Sequence, residues 1–364
     1  LIRASLNIFA RLKKGIPVLF ALFSFSVSKA QVGGTGVFSV LKMPANGRTL
    51  GWGGYSSAYR NGDATFMLNN PALLGNSNHN MASMNFNTQF PGVWSGNGAY
   101  AMKYKDVGYF GMSVSYIDYG TMDAYDAGGN AEGQVQANET SIALGYAKPL
   151  NNQISYGVNI KMAYSILAGY VANGIALDAG VLYSSADSIL SAALVFKNAG
   201  FMLQHYRNGE REKLPFQVEL GLNFKPRHMP FRFNITAHDL QKADITYNQY
   251  LKTNNTIDLS GNTVVAKEAN LGEKVMRHFT IGTELVLGKN FGILFGYNHQ
   301  RRKEMAPDIL SRVTGFSWGL HFKVSKIQIT YSSAAYFPGY NMNLFTFSAR
   351  ISDFSRKNGN SRSN

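Results

Sequence analysis

Phe216-Gln217-Val218-Glu219-Leu220-Gly221-Leu222-Asn223-Phe224 sets an apolar side chain at every even position and a polar residue or glycine at every odd one. Phe316-Ser317-Trp318-Gly319-Leu320-His321-Phe322-Lys323-Val324 repeats the pattern further along. Between them, Phe291, Ile293, Phe295 and Tyr297 alternate with Gly292, Leu294, Gly296 and Asn298, Leu294 being the apolar intruder. A period of two places successive side chains on opposite faces of an extended chain, so these stretches are strands with one apolar face. Whether that face meets lipid or a soluble core is not decided by the period.

The spacing of the alternations decides it. Fourteen segments carry the pattern, near 80–90, 93–104, 107–118, 138–148, 153–165, 174–184, 189–198, 215–225, 230–238, 276–287, 290–298, 313–324, 326–333 and 342–352. An even count suits a single-chain antiparallel barrel with both ends on one side of a membrane. The connections after the second, fourth, sixth, eighth, tenth and twelfth segments are tight, such as Lys105-Asp106, Gly288-Lys289 and Ser325. Those after the third, fifth, seventh, ninth, eleventh and thirteenth are longer, the largest being 119–137, 199–214 and 239–275. The first hairpin, at Pro91-Gly92, is a short exception on the long-loop rim. Short turns on one rim and long loops on the other is the outer-membrane arrangement, with the long loops extracellular and both termini periplasmic. The expected fold is an all-β, fourteen-stranded antiparallel transmembrane barrel over 80–354.

Composition fits. The chain has 24 Phe, 20 Tyr and 37 Gly among 364 residues, a load of strand-forming aromatics and of glycine. It has no cysteine, which excludes disulfides and thiolate metal sites. Arg3, Arg11, Lys13 and Lys14, the apolar run Ile16 to Val27 and the small residues of Ser28-Lys29-Ala30 read as an export signal over 1–30, cleaved before Gln31. Five of the formal +14 belong to that leader, and nine remain. On an exported chain with scattered charges, the excess points to anionic lipid or lipopolysaccharide and away from nucleic acid. Residues 355–364 form a polar, basic tail.

The stretch from 31 to 79 does not alternate. Gly33-Gly34-Thr35-Gly36, Arg48-Thr49-Leu50-Gly51-Trp52-Gly53-Gly54 and Asp63 to Leu74 combine glycine-rich turns with short apolar pieces. Irregular chain ahead of a long β array is expected to fold inside the barrel as a plug, with Phe38, Leu41, Met43, Leu50 and Trp52 lining a pocket or filling the lumen. Asn70 is a capping residue and Pro71 suits a first helical position. Asp63 is expected to cap or to pair with an inward arginine such as Arg48.

Chemistry is sparse. No Gly-x-Ser-x-Gly elbow, His-Glu-x-x-His or histidine pair at metal spacing is present. His278 and His321 read as lumen residues on the polar faces of strands. Glu219, Glu284, Arg232, Lys323 and Arg350 read as inward charges. Asp123, Asp126, Asn130 and Glu132 lack the calcium-loop spacing. No catalytic residue, cofactor or metal is expected. The long loops instead mix aromatic and aliphatic anchors with polar groups, a composition suited to docking a protein. The residues expected there are Tyr119, Met122 and Tyr125 after the third segment, and Tyr206, Arg207 and Arg211 after the seventh. Tyr247, Tyr250 and Leu251 follow the ninth.

Val37 to Pro44, Arg48, Leu50-Gly51-Trp52-Gly53-Gly54, Asn70-Pro71-Ala72-Leu73-Leu74, Phe196-Lys197-Asn198-Ala199-Gly200, Leu214-Pro215-Phe216 and Pro226 to Arg232 occur in an order that resembles the FadL-type superfamily of long-chain fatty acid transporters. Within it the chain is most similar to the PorQ-like barrels of the type IX secretion system, departing from them at Asn46-Gly47. The resemblance implies a non-enzymatic outer-membrane component of an attachment complex. Such a barrel would hold a PorZ-like surface protein through its outer loops, beside the PorU sortase and PorV, so that cargo is joined to lipopolysaccharide. The alternative it implies is a FadL-like passive transporter of a hydrophobic small molecule.

Overall fold

The computed structural model describes residues 37–126, 128–207, 212–246, 256–257, 263–264, 269–304, 313–337 and 340–355. The expected leader, most of the tail, and Arg211, Tyr247, Tyr250 and Leu251 lie outside them.

Among the described residues, fourteen strands close into an antiparallel barrel in which every strand pairs with its neighbours in sequence. They are β1 (Met81–Phe90), β2 (Val93–Tyr104), β3 (Gly108–Tyr125), β4 (Ala131–Pro149), β5 (Ile154–Leu167), β6 (Tyr170–Ser184) and β7 (Leu190–Gln204). The second half is β8 (Gln217–Phe224), β9 (Phe231–Ala237), β10 (Phe279–Leu287), β11 (Phe291–Asn298), β12 (Phe316–Val324), β13 (Ile327–Phe337) and β14 (Tyr340–Arg350). The seam joins first to last, with Met81 opposite Arg350 and Phe86 opposite Phe345. Closure leaves no free sheet edge, which is what lets strands sit in lipid with every backbone group paired. No helix among the described residues is long and apolar enough to cross a membrane.

The two faces separate as the alternation requires. Phe216, Leu220, Leu222, Phe224, Phe295 and Trp318 point outward and are exposed, while Gln217, Glu219, Gly221 and Asn223 are buried inside. An outward apolar band around a polar interior is the reverse of a soluble core.

Several strands run further than the alternation indicates, and for β3 and β7 a bulge is the reason. The register of β3 against β4 slips between Asp118 and Thr121, where Gly120 takes φ 73°. The register of β6 against β7 slips between Leu177 and Ala179, where Asn198 takes φ 57°. A bulge adds one residue and exchanges the faces beyond it, so the apolar period breaks although the strand continues. The region expected as a loop at 119–137 is therefore mostly a β-ribbon, and β7 continues to Gln204. In the opposite sense, residues 276–278 are not strand. Val275 to Arg277 end a short α-helix, α1 (Leu271–Arg277), whose side-chain cap is Asn270.

The wall is uneven in height. Strands β3 to β7 have 14 to 19 residues, whereas the consecutive strands β8 to β12 have 7 to 9. β8 first pairs at Gln217, opposite Lys197, leaving the end of β7 projecting above it.

Candidate functional site: the plugged lumen

Residues 37–80 occupy the barrel interior as short turns. The five-residue helix Gly47–Gly51 is capped by Asn46, whose side chain accepts from Thr49 N. Asp63 caps Ala64–Leu68, accepting from the backbone N–H and hydroxyl of Thr65 at 2.9 and 2.7 Å. Asn70 caps Pro71–Leu73 through Ala72 N, with Pro71 at the first position where a missing N–H costs nothing. Each cap satisfies a backbone donor that the lumen would otherwise leave unpaired.

Inward glycines of the wall make the room for these turns. A Cβ on Gly180 would stand 2.1 Å from Asn70 Oδ1, and one on Gly282 would stand 2.6 Å from the Cβ and Cγ of Trp52. Leu294, the intruder in the β11 alternation, points inward, fully buried, and closes on Gly51. A break in the binary pattern thus marks where wall meets plug.

The polar part of the contact centres on Glu284. Its two carboxylate oxygens accept from Arg48 Nη1 at 2.5 Å and Arg232 Nη1 at 2.7 Å, and both guanidiniums lie over the Tyr59 ring at 5.1 and 4.7 Å. Trp52 meets Tyr59 edge-on at 5.0 Å and lies under Arg48. The partner of Arg48 is therefore Glu284, not Asp63, whose carboxylate is taken up by its capping role. A second inward network joins Lys161 to Asp178 at 2.7 Å and to Asn198 at 3.0 Å, beside Lys197 and Glu219 at 3.1 Å. Asn198, in its left-handed bulge conformation, donates its backbone N–H to Asp178. The second network balances two lysines with two carboxylates, whereas the first sets two arginines on one carboxylate.

Towards the long-loop rim the lumen turns apolar. Val37, Phe38, Val40 and Leu41 pack against Ile117, Ala163, Ala172, Ala176 and Leu214, with Tyr119 and Tyr206 partly buried on the same cluster. Phe38 is fully buried with φ 60° and ψ 69°, a left-handed conformation that costs a side-chain-bearing residue about 1–2 kcal/mol. Glu139 accepts from Val40 N at 2.8 Å and fixes the segment.

The residues expected at a docking surface divide. Met122 and Tyr125 are exposed on the projecting β3–β4 ribbon, at 42% and 63%. Tyr119 and Tyr206 turn inward instead, Tyr206 donating to Ser165 Oγ at 2.6 Å. Arg207 is exposed over the Tyr170 ring. The odd residues of β3 face the lumen, so the parity of Tyr119 was the available signal. Asp126 accepts from Gly128 N, Asn130 N and Asn130 Nδ2, which occupies its carboxylate in the turn and holds it below the usual range. No group of three His, Asp or Glu among the described residues is arranged to hold a metal. His321 is inward, against Thr330 Oγ1. His278 is not on a strand: it follows α1 and meets the His238 carbonyl.

No family model matches this chain, and no curated protein matches it. Solved structures do. The Ralstonia pickettii toluene transporter TbuX superposes with a TM-score of 0.53 at 11% identity, over 86% of this chain and 100% of that one. The Pseudomonas putida toluene transporter TodX superposes at 0.50 and 11% identity, over 88% of this chain and 98% of that one. At such identity the likeness concerns the fold alone, and the chain has the barrel fold of these two toluene transporters.

Proposed function

We propose that this chain is a passive outer-membrane conduit for a hydrophobic small molecule, held closed at rest by its own N-terminal plug. The observation that carries the proposal is the apolar chamber around Phe38. Other apolar clusters of the lumen, around Met67, Phe66 and Leu50, also join plug to wall, but this one is built on the long-loop side from small alanines of β5 and β6 packed against one aromatic ring. Withdrawal of that ring exposes an apolar pocket of the kind small ligands occupy. Burying a Phe side chain contributes about 1.5–3 kcal/mol, and the left-handed backbone removes about 1–2 of it. The Phe38 ring itself is thus held shallowly, as a gate needs to be, while Val40 stays tied to Glu139. The fold shared with two toluene transporters supports the same reading.

The test is uptake into proteoliposomes of toluene and of a fluorescent acyl chain, against a sugar of similar mass. Wild-type protein should pass the apolar probes faster than protein-free vesicles, and Phe38→Ala should pass them faster still. Equal rates in wild-type, variant and empty vesicles would end the reading.

A second reading has its own observation. The β3–β4 ribbon stands beyond the rest of the rim with Met122 and Tyr125 bare, a shape suited to holding a partner. A barrel whose plug is this thoroughly buried also suits a holding role. With the resemblance of its motifs, this favours an anchor in the type IX attachment complex that binds a PorZ-like surface protein, near the PorU–PorV pair. Replacing 121–134 by a tight turn separates the two. Loss of a copurifying surface partner with assembly intact supports the anchor, and retention of the partner removes this ribbon from the contact.

A further inference from the structure

We infer that the helix α1 and the residues flanking β8, β9 and β12 form a lipid-contacting collar that carries the hydrophobic belt of the barrel across its low wall. A strand crosses the membrane with about 9–11 residues, and the apolar band of such barrels is about 25 Å tall. β8, β9 and β11 have 8, 7 and 8 residues. Seven residues tilted by about 45° rise only about 16 Å. Strands alone therefore leave the bilayer unmatched along this side.

The side chains just beyond these strand ends supply what is missing. Phe216 precedes β8, Leu240 follows β9, Leu271, Val275 and Met276 precede β10, and Val313 precedes β12. All six are exposed, Leu271 at 78% and Val313 at 67%. In barrel order they flank the long-loop ends of neighbouring strands, whose outer faces expose Ile281, Phe295 and Phe316.

The helix itself is inside out for a helix in water. Its polar groups are engaged by protein: Arg277 is buried and pairs with Glu273 at 2.8 Å, Lys274 pairs with Asp244 at 2.8 Å, and Lys303 approaches Glu273 at 3.6 Å. The apolar side, with Leu271 and Val275 one turn apart and Met276 beside them, is exposed. A surface helix turned to water shows the opposite face. The occupant that matches an exposed apolar face flanking the lipid-facing strands is the acyl region of the adjoining leaflet.

The chain has no cysteine, so single labelled sites are unambiguous. Val275→Cys and Met276→Cys, each carrying a polarity-sensitive fluorophore, are placed in phosphatidylcholine vesicles doped with lipid bearing a doxyl group near the head of the acyl chain. Phe295→Cys serves as the lipid-facing reference and Glu132→Cys, on the ribbon, as the aqueous one. Emission from the helix sites should be blue-shifted and lost to the lipid-borne quencher as at Phe295, with little loss to aqueous iodide. Quenching by iodide as at Glu132 would overturn the inference. So would protection from both quenchers, which would mean that protein covers this face.

Discussion

Glu284→Gln removes the carboxylate that Arg48 and Arg232 share. The pair distances are 2.5 and 2.7 Å, and Arg48 and Glu284 are almost wholly buried, so water cannot take the place of the lost charge. Stranding a buried partner of an ion pair costs about 3–5 kcal/mol. Arg232 is the more exposed of the two arginines and can turn towards solvent, so the lower figure applies and falls on Arg48. Arg48 belongs to the plug and Glu284 to the wall, so the cost appears in plug docking while the backbone ladder of β10 is left intact. At about 1.4 kcal/mol per tenfold, roughly a hundredfold rise in the undocked population follows. Two assays read it: channel openings in planar bilayers, and protease cleavage within 37–80 in proteoliposomes. Arg48→Met added to Glu284→Gln removes the stranded charge and should restore part of the protection. A Glu284→Gln barrel as silent and as protected as wild type would show that the plug is held by packing and caps, not by this triad.

Gly282→Val should displace Trp52 and give the same protease-sensitive plug, whereas Gly98→Ala, whose added carbon meets nothing nearer than 4.0 Å, should leave protection unchanged in the same cleavage assay. Phe295→Arg places a charge on the lipid face in mid-strand and should destabilise the barrel by about 2–4 kcal/mol in denaturant refolding, against no measurable change for Glu132→Arg. Burial raises the Asp239 carboxyl, but the hydrogen bond and charge of His238, with Gln217 and Lys42, outweigh it and hold the group at about 2, from an ordinary 3.8. A depressed carboxyl stabilises fully above its unfolded value and loses that contribution as pH falls towards its folded one. Protection of amides 238–241, taken relative to the intrinsic exchange rate, should therefore fall between about pH 4 and pH 2, and Asp239→Asn should remove that fall.

The strands, their number and the sorting of loop lengths were legible because period two is a local property. Bulges at Gly120 and Asn198 hid the upper parts of β3 and β7, since a one-residue slip reverses the faces and looks like the end of a strand. Asn198 and Gly200 stood out in the sequence without a reason attached. The reason is a left-handed bulge at Asn198, and at Gly200 a wall so close that a Cβ would stand 2.0 Å from the Ile175 carbonyl oxygen. The caps at Asp63 and Asn70 were legible because capping acts over two residues. The partner of Arg48 was not, because 236 positions separate it from Glu284 and every inward acid was an equal candidate. The apolar chamber was half legible. Phe38 and Leu41 were marked as filling or lining, but the alanines opposite them carry no signal until the register places them there.

The uninterrupted meander and its single seam bear on how the molecule is made. Gly47 donates to Thr346, 299 positions away, and Arg350 reaches Ser77 from the last strand. Contacts of such separation form late and slowly, because most of the chain must be ordered before they yield anything. The plug precedes β1 and is enclosed by strands that follow it, so an order in which it is inside when β1 meets β14 needs no passage through a finished wall. When the wall is laid down in chain order, Arg48 is already in place as the strand bearing Glu284 arrives. The plug is then a mandrel around which the wall is wound, and the order of the chain, plug first and seam last, is the order of construction.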